Sequence, residues 1–171
     1  MTTVHICASC ATVGLTCCQG CDRTIYITLG DVKRIEAFIG ENDFYEFRQP
    51  EHAGYLDNID DPIWETYVFR ADKSRRVLKR NNVGDCGFLT KVGCRLPMDI
   101  RPLVCRLHPF EYNASGLFAE LSKECPVHLL REGETLQKAV DISPESANIW
   151  HKALYQEILW EKQDVEHRTD V

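Results

Sequence analysis

No run of this sequence approaches the roughly 18 apolar residues of a membrane span, so a membrane protein is not expected. Positive charge is also in short supply. Twenty Lys and Arg stand against 26 Asp and Glu, a net charge of -6. Nucleic acid is not an expected partner, because its non-specific affinity needs clustered cations. The nearest basic run, RADKSRRVLKR from Arg70 to Arg80, is short and reads as a solvated face. The opening MTTVHICASC lacks a basic start followed by an apolar stretch, so no signal peptide is expected and a cytoplasmic location is. There is no repeat and no low-complexity tract. Catalytic motifs are missing as well: no Ser/His/Asp arrangement, phosphate loop or His-Glu-x-x-His. The paired acids Asp60 and Asp61 lie in loop-like sequence and read as solvated. A non-enzymatic role is the expectation.

Cysteine is what the chain has in excess. Nine occur in 171 residues, and five of them fall within CASCATVGLTCCQGC: Cys7, Cys10, Cys17, Cys18 and Cys21. Cys86, Cys94, Cys105 and Cys125 form a second group. In a reducing compartment clustered cysteines point to metal or redox chemistry, and an odd number cannot be consumed by disulfides. One buried cysteine can be a small hydrophobe; five so close together are poorly explained that way. Cys-x-x-Cys occurs at Cys7/Cys10 and at Cys18/Cys21, a spacing whose tight turn lets two thiolates converge on a metal. Cys17 and Cys18 are adjacent. Successive side chains of an extended chain point to opposite faces, so such a pair more easily serves two metal atoms than one tetrahedron. That favours a polynuclear site or two neighbouring sites. Cys125 is followed by Pro126, the ending of the bacterial ferredoxin pattern. Eight thiolates satisfy two four-ligand sites and leave one over. Buried thiolate needs compensating cations or N–H donors. Arg95, Arg101 and Arg106 stand beside these cysteines in the sequence. Arg101 precedes an expected helix start, where the helix dipole disfavours a cation. A cluster sulfur or Asp99 is its expected anionic partner, a plain surface arginine the alternative.

Around these groups the residue pattern predicts short elements. Thr28 and Asp31 mark a helix start, Val32, Ile35, Ala37, Phe38 and Ile39 give its apolar stripe, and Gly40 ends it. Another helical turn or two is expected over Glu41–Arg48, then a loop over Gln49–Pro62. WETYVFRADKSRRVLKR predicts two short strands, the better one over Thr66–Phe69. CGFLTKVGCRL predicts a hairpin turning near Lys91–Gly93, and EYNASGLFAEL another turning at Asn113–Gly116. Pro102 suits the first turn of a short helix around Cys105 that Pro109 ends. Ser143 and Pro144 open the longest helix, with Ile149, Ala153, Leu154 and Ile158 on one face and Trp150 and Trp160 as packing residues. Neither the N-terminal stretch nor the Cys86–Cys125 loops carry enough apolar residues to order themselves, so the two cysteine groups are expected to meet around metal.

These residues resemble a family. Cys7-x-x-Cys10, the Cys17–Cys18 pair and ITLGDVKRI form one half of the likeness; DCGFLTKVGC, IRPLVCRLHPF and ECP form the other. Together they are similar to the YkgJ-type cysteine-cluster proteins, described as zinc- or iron-chelating domains with a CxxCxxCC signature. The likeness spans roughly residues 7–126. It places the family's cysteines on Cys7, Cys10, Cys17, Cys18, Cys86, Cys94, Cys105 and Cys125. Six residues rather than two separate Cys10 from the pair, and Cys21 is additional, so Cys21 can stand in for Cys10 or Cys17. His108 takes a place where an aromatic is common and is either an extra ligand or a structural residue. A related signature in flagellin lysine methylases, thought to carry an iron–sulfur cluster, makes that cofactor credible without implying methylation.

The expectation is therefore a small single α+β domain over residues 1–171. Short strands and helices surround a cysteine core at 7–126, and an amphipathic helical segment follows at 134–163. It is expected to carry one or two iron–sulfur clusters of the 4Fe-4S kind, for electron transfer, redox sensing or as accessory to protein modification, with a protein partner. A structural zinc module that displays a surface for another protein is the alternative. The last helix packs on the core or on a second copy, as in a homodimer.

Overall fold

Thr28 caps a helix, α1 (Leu29–Ile39). Its hydroxyl accepts from the Asp31 N–H at 2.9 Å, while the Asp31 carboxylate accepts from the Thr28 N–H at 3.1 Å. Two of the N–H groups that a helix start leaves without helical partners are thereby satisfied. Gly40 ends α1 at φ 75°, a conformation that a Cβ disfavours. The computed structural model describes Cys10, Cys18, Gln19 and residues 24–51, 61–123 and 125–169, with the side chains of the last helix described as far as Glu161.

Strand β1 (Tyr45–Arg48) stands where further helical turns are predicted. It pairs antiparallel with β2 (Arg75–Leu78), Tyr45 opposite Leu78. Residues 25–27 run along the other side of β2, the Ile27 N–H reaching the Arg76 carbonyl at 3.2 Å and the Leu78 N–H the Ile25 carbonyl at 2.9 Å. Between β1 and β2 lies α2 (Pro62–Val68), a helix in place of the strand predicted over Thr66–Phe69. The Asp61 carboxylate accepts from the Trp64 N–H at 3.1 Å, and Pro62 sits in the first turn, where a missing N–H costs little. That start signal outweighs the β propensity of Thr66, Tyr67 and Val68. It also corrects the expectation of a solvated Asp61, which is buried.

Two hairpins and one short helix follow. They are β3 (Leu89–Thr90) with β4 (Gly93–Cys94), then α3 (Leu103–Leu107), then β5 (Phe110–Asn113) with β6 (Gly116–Leu121). Both hairpins turn where predicted. A 3-10 turn at Val127–Leu129 leads to α4 (Leu136–Val140) and α5 (Pro144–Thr169). The helical segment expected over 134–163 is thus broken, at Asp141, whose φ of 54° is left-handed. Ser143 caps α5, its hydroxyl accepting from the Ser146 N–H at 3.1 Å.

The core is divided. One cluster joins α5 to α2, α3, α4 and the β5–β6 hairpin through Tyr26, Leu103, Leu107, Phe110, Leu154 and Ile158. The other gathers Ile27, Val32, Ile35, Leu78, Phe88 and Leu96 around α1, β2 and the β3–β4 hairpin. Cys86, Phe88, Leu96, Leu103, Leu107 and Phe110 are all buried, so the stretch around the second cysteine group has an apolar interior of its own, contrary to expectation. The face of α5 differs by one residue. Ala147, Leu154 and Ile158 are buried but Ile149 is 65% exposed, because it falls about 140° around the helix from Leu154. Trp160 is also exposed, with the Lys33 ammonium 5.5 Å from its ring centre. The helix packs on this chain's own core. The basic run is not a uniformly solvated face either. Arg75 is buried and donates to the Thr24 hydroxyl at 2.8 Å, and Arg76 pairs with Glu161 at 2.9 Å. The result is a small single α+β domain with a C-terminal helix. Among the described residues, no helix is long and apolar enough to cross a membrane.

Candidate metal centre

Leu103 and Leu107 lie four apart in α3, on one face, and both are buried in the first core. Cys105, midway between them, is turned away from that face. It is half-buried and lines a cavity of about 570 Å³ at the seam of the two cores. Cys10, Cys18, Cys86, Cys94 and Cys125 line the same cavity. All six described cysteines, drawn from both sequence groups, therefore surround one space, and they form no disulfide with one another. The expected ligands Cys7, Cys17 and Cys21 lie outside the described residues.

Each wall has its own support. The Cys86 N–H donates to the Cys18 carbonyl at 2.7 Å, which ties the first cysteine group directly to the second. Cys18, Cys86 and Cys94 all belong to the second core. Cys94 sits in β4 opposite Leu89, after a turn closed by Gly93 at φ 104°. Cys125 packs against the first core, and its sulfur lies 3.2 Å from His108 Nε2. His108 caps α3, its N–H bonded to the Val104 carbonyl, and faces the same cavity.

The position of α3 is fixed from a distance. The Asp31 carboxylate accepts from the Leu103 N–H at 3.1 Å and from Arg34 at 2.6 Å, so the cap of α1 also holds the start of the helix that carries Cys105. Burial keeps the Asp31 carboxyl above the usual aspartate range, even with Arg34 beside it. The arginines expected beside the sulfurs make different bonds. Arg106 is buried and donates to the carbonyls of Arg101 at 2.7 Å and Asp99 at 2.5 Å. Burial, with Arg34 nearby, lowers its pKa. Arg101 lines the cavity and donates through Nε to the Leu96 carbonyl at 2.9 Å, so the partner found for it is a carbonyl rather than Asp99. Both arginines fasten the 96–106 segment by its backbone.

The rest of the wall was not read from the sequence. Trp64, Tyr26, Tyr112 and Tyr155 line it beside Asp61, whose carboxylate accepts from the Tyr155 hydroxyl. Burial holds the Tyr155 hydroxyl well above the usual tyrosine range, and the bond to Asp61 adds to it. Burial does the same for Tyr112, with the Cys105 sulfur contributing. The Asp61–Pro62 dipeptide, a cap followed by a first-turn proline, was the available signal for Asp61.

By kind, the cavity's sulfur atoms and the His108 imidazole are soft and borderline donors, suited to zinc or iron–sulfur centres rather than to magnesium or calcium. By distance, no three His, Cys, Asp or Glu side chains among the described residues converge closely enough to hold an ion. Comparison of the chain with protein-family models, with curated proteins and with solved structures found no match.

Proposed function

We propose that the cavity holds a cysteine-ligated iron–sulfur centre and that the protein is a redox or electron-transfer component of the YkgJ-type cysteine-cluster kind, acting with a protein partner in the cytoplasm. One observation carries the reading. Cysteines as distant in sequence as Cys10 and Cys125 line a single cavity between two separately packed cores. Ordinary burial of a small hydrophobe would scatter such residues through the interior. The volume, about 570 Å³, lies in the range of cofactor sites and exceeds what one tetrahedral ion occupies, which favours a polynuclear centre over a lone zinc. When bound, such a centre supplies reversible one-electron chemistry. The chain's own contribution is to supply thiolates from both walls and to surround them with aromatic side chains that limit access of water. Arg101, fastened by its bond to the Leu96 carbonyl, adds positive charge to the lining.

The test is anaerobic purification with iron, zinc and acid-labile sulfide measured per chain. Iron and sulfide in comparable, stoichiometric amounts are expected. Zinc without sulfide would replace this reading with the structural zinc module. A folded sample with neither metal would overturn both. Cys105→Ser is expected to lose most of the bound metal and to melt at a lower temperature. Unchanged metal content and melting temperature would remove Cys105 from the site.

A further inference from the structure

The geometry points to His108 as a nitrogen ligand of the same centre, paired with Cys125, so that the site is a mixed sulfur–nitrogen one. This rests on the metal reading above but goes beyond an all-cysteine donor set. His108 Nε2 and Cys125 Sγ stand 3.2 Å apart, although they belong to segments on opposite sides of the β5–β6 hairpin. Zinc–sulfur and zinc–nitrogen bonds of about 2.3 and 2.0–2.1 Å, meeting at the tetrahedral angle, place their donor atoms about 3.5 Å apart. The observed separation is within a few tenths of an ångström of that span.

Two further features fit. His108 lines the cavity that the cysteines line. It follows Cys105 by three residues, so a Cys-x-x-His spacing runs from α3 into its cap. The competing account is a plain thiol–imidazole hydrogen bond, which needs no metal.

Ligation by nitrogen has chemical consequences. Imidazole in place of thiolate removes one negative charge from the centre and raises its reduction potential if it is an iron–sulfur centre.

The experiment uses the full chain as purified without oxygen, its histidines labelled with nitrogen-15. If the metal is iron, electron–nuclear double resonance on the paramagnetic state is expected to show a directly bonded nitrogen. If it is zinc, X-ray absorption is expected to show a short light-atom shell beside the sulfur shell. His108→Cys is expected to keep the metal and abolish that nitrogen signal, with a lower reduction potential in the iron case. His108→Gln, which can still hydrogen-bond Cys125, is expected to lose the signal and part of the metal. An all-sulfur shell in the unmodified chain overturns the inference and leaves the metal reading standing. So does a nitrogen signal that persists in His108→Cys. A sample without iron or zinc overturns the metal reading itself. The spectra of the unmodified chain decide the matter even where a variant fails to fold.

Discussion

Asp31 joins parts of the chain that no local pattern connects. Its carboxylate takes hydrogen bonds from the Thr28 and Leu103 N–H groups and from Arg34, and its side chain is fully buried. A buried carboxylate with several donors leaves them stranded when it is changed, and the penalty falls on each. Asp31→Asn is expected to cost about 2–4 kcal/mol, measured by urea unfolding, because an amide nitrogen faces N–H donors in place of an acceptor oxygen. A cost below about 1 kcal/mol would mean that the Leu103 bond contributes little. The Thr28–Asp31 half of this arrangement is legible from a three-residue spacing. The bond to Leu103 is not, since the two residues lie 72 apart and only the packed fold brings them together.

At the scale of elements, strong local signals survive and weak ones yield to tertiary packing. Caps and turns at Thr28, Gly40, Pro102, Ser143 and the two hairpin turns appear in the structure where their chemistry places them. Tyr45–Arg48 lacks such a signal, and its strand exists because β2 supplies the ladder. On α5 the apolar spacing was read one residue too wide. Leu154 is fully buried and Ile149 largely exposed. Leu154→Ala is therefore expected to cost about 2–5 kcal/mol in unfolding free energy, and Ile149→Ala to stay within about 0.5 kcal/mol. Equal costs would mean that the helix presents a different face. The joining of the two cysteine groups was legible as a grouping by number and spacing. The shape of the cavity was not, because its aromatic wall comes from Tyr26, Trp64, Tyr112 and Tyr155, residues on four separate segments.

For the whole molecule, the seam between the two cores controls several hydroxyls at once. Burial raises the pKa of Tyr26, Tyr112 and Tyr155 above the ordinary tyrosine value. A proton held more tightly in the folded state than in the unfolded one stabilises the fold fully below the unfolded value, about 10. That contribution is lost as pH rises past it. Absorbance titration is expected to show Tyr26, Tyr112 and Tyr155 ionising only together with unfolding, above the ordinary tyrosine value. Their smooth ionisation without loss of structure would mean that the seam is open to water.

The last helix reaches back to α1. Glu157 accepts from the Thr28 hydroxyl and from Arg34, and Glu161 accepts from the Leu29 N–H and from Arg76. During synthesis, α1 can form as soon as it emerges, yet its outer bonds wait until residue 161 has cleared the ribosome. A nascent chain halted before that point would display α1 with an unsealed entry, a distinct state that chaperones or proteases in the cell would meet first.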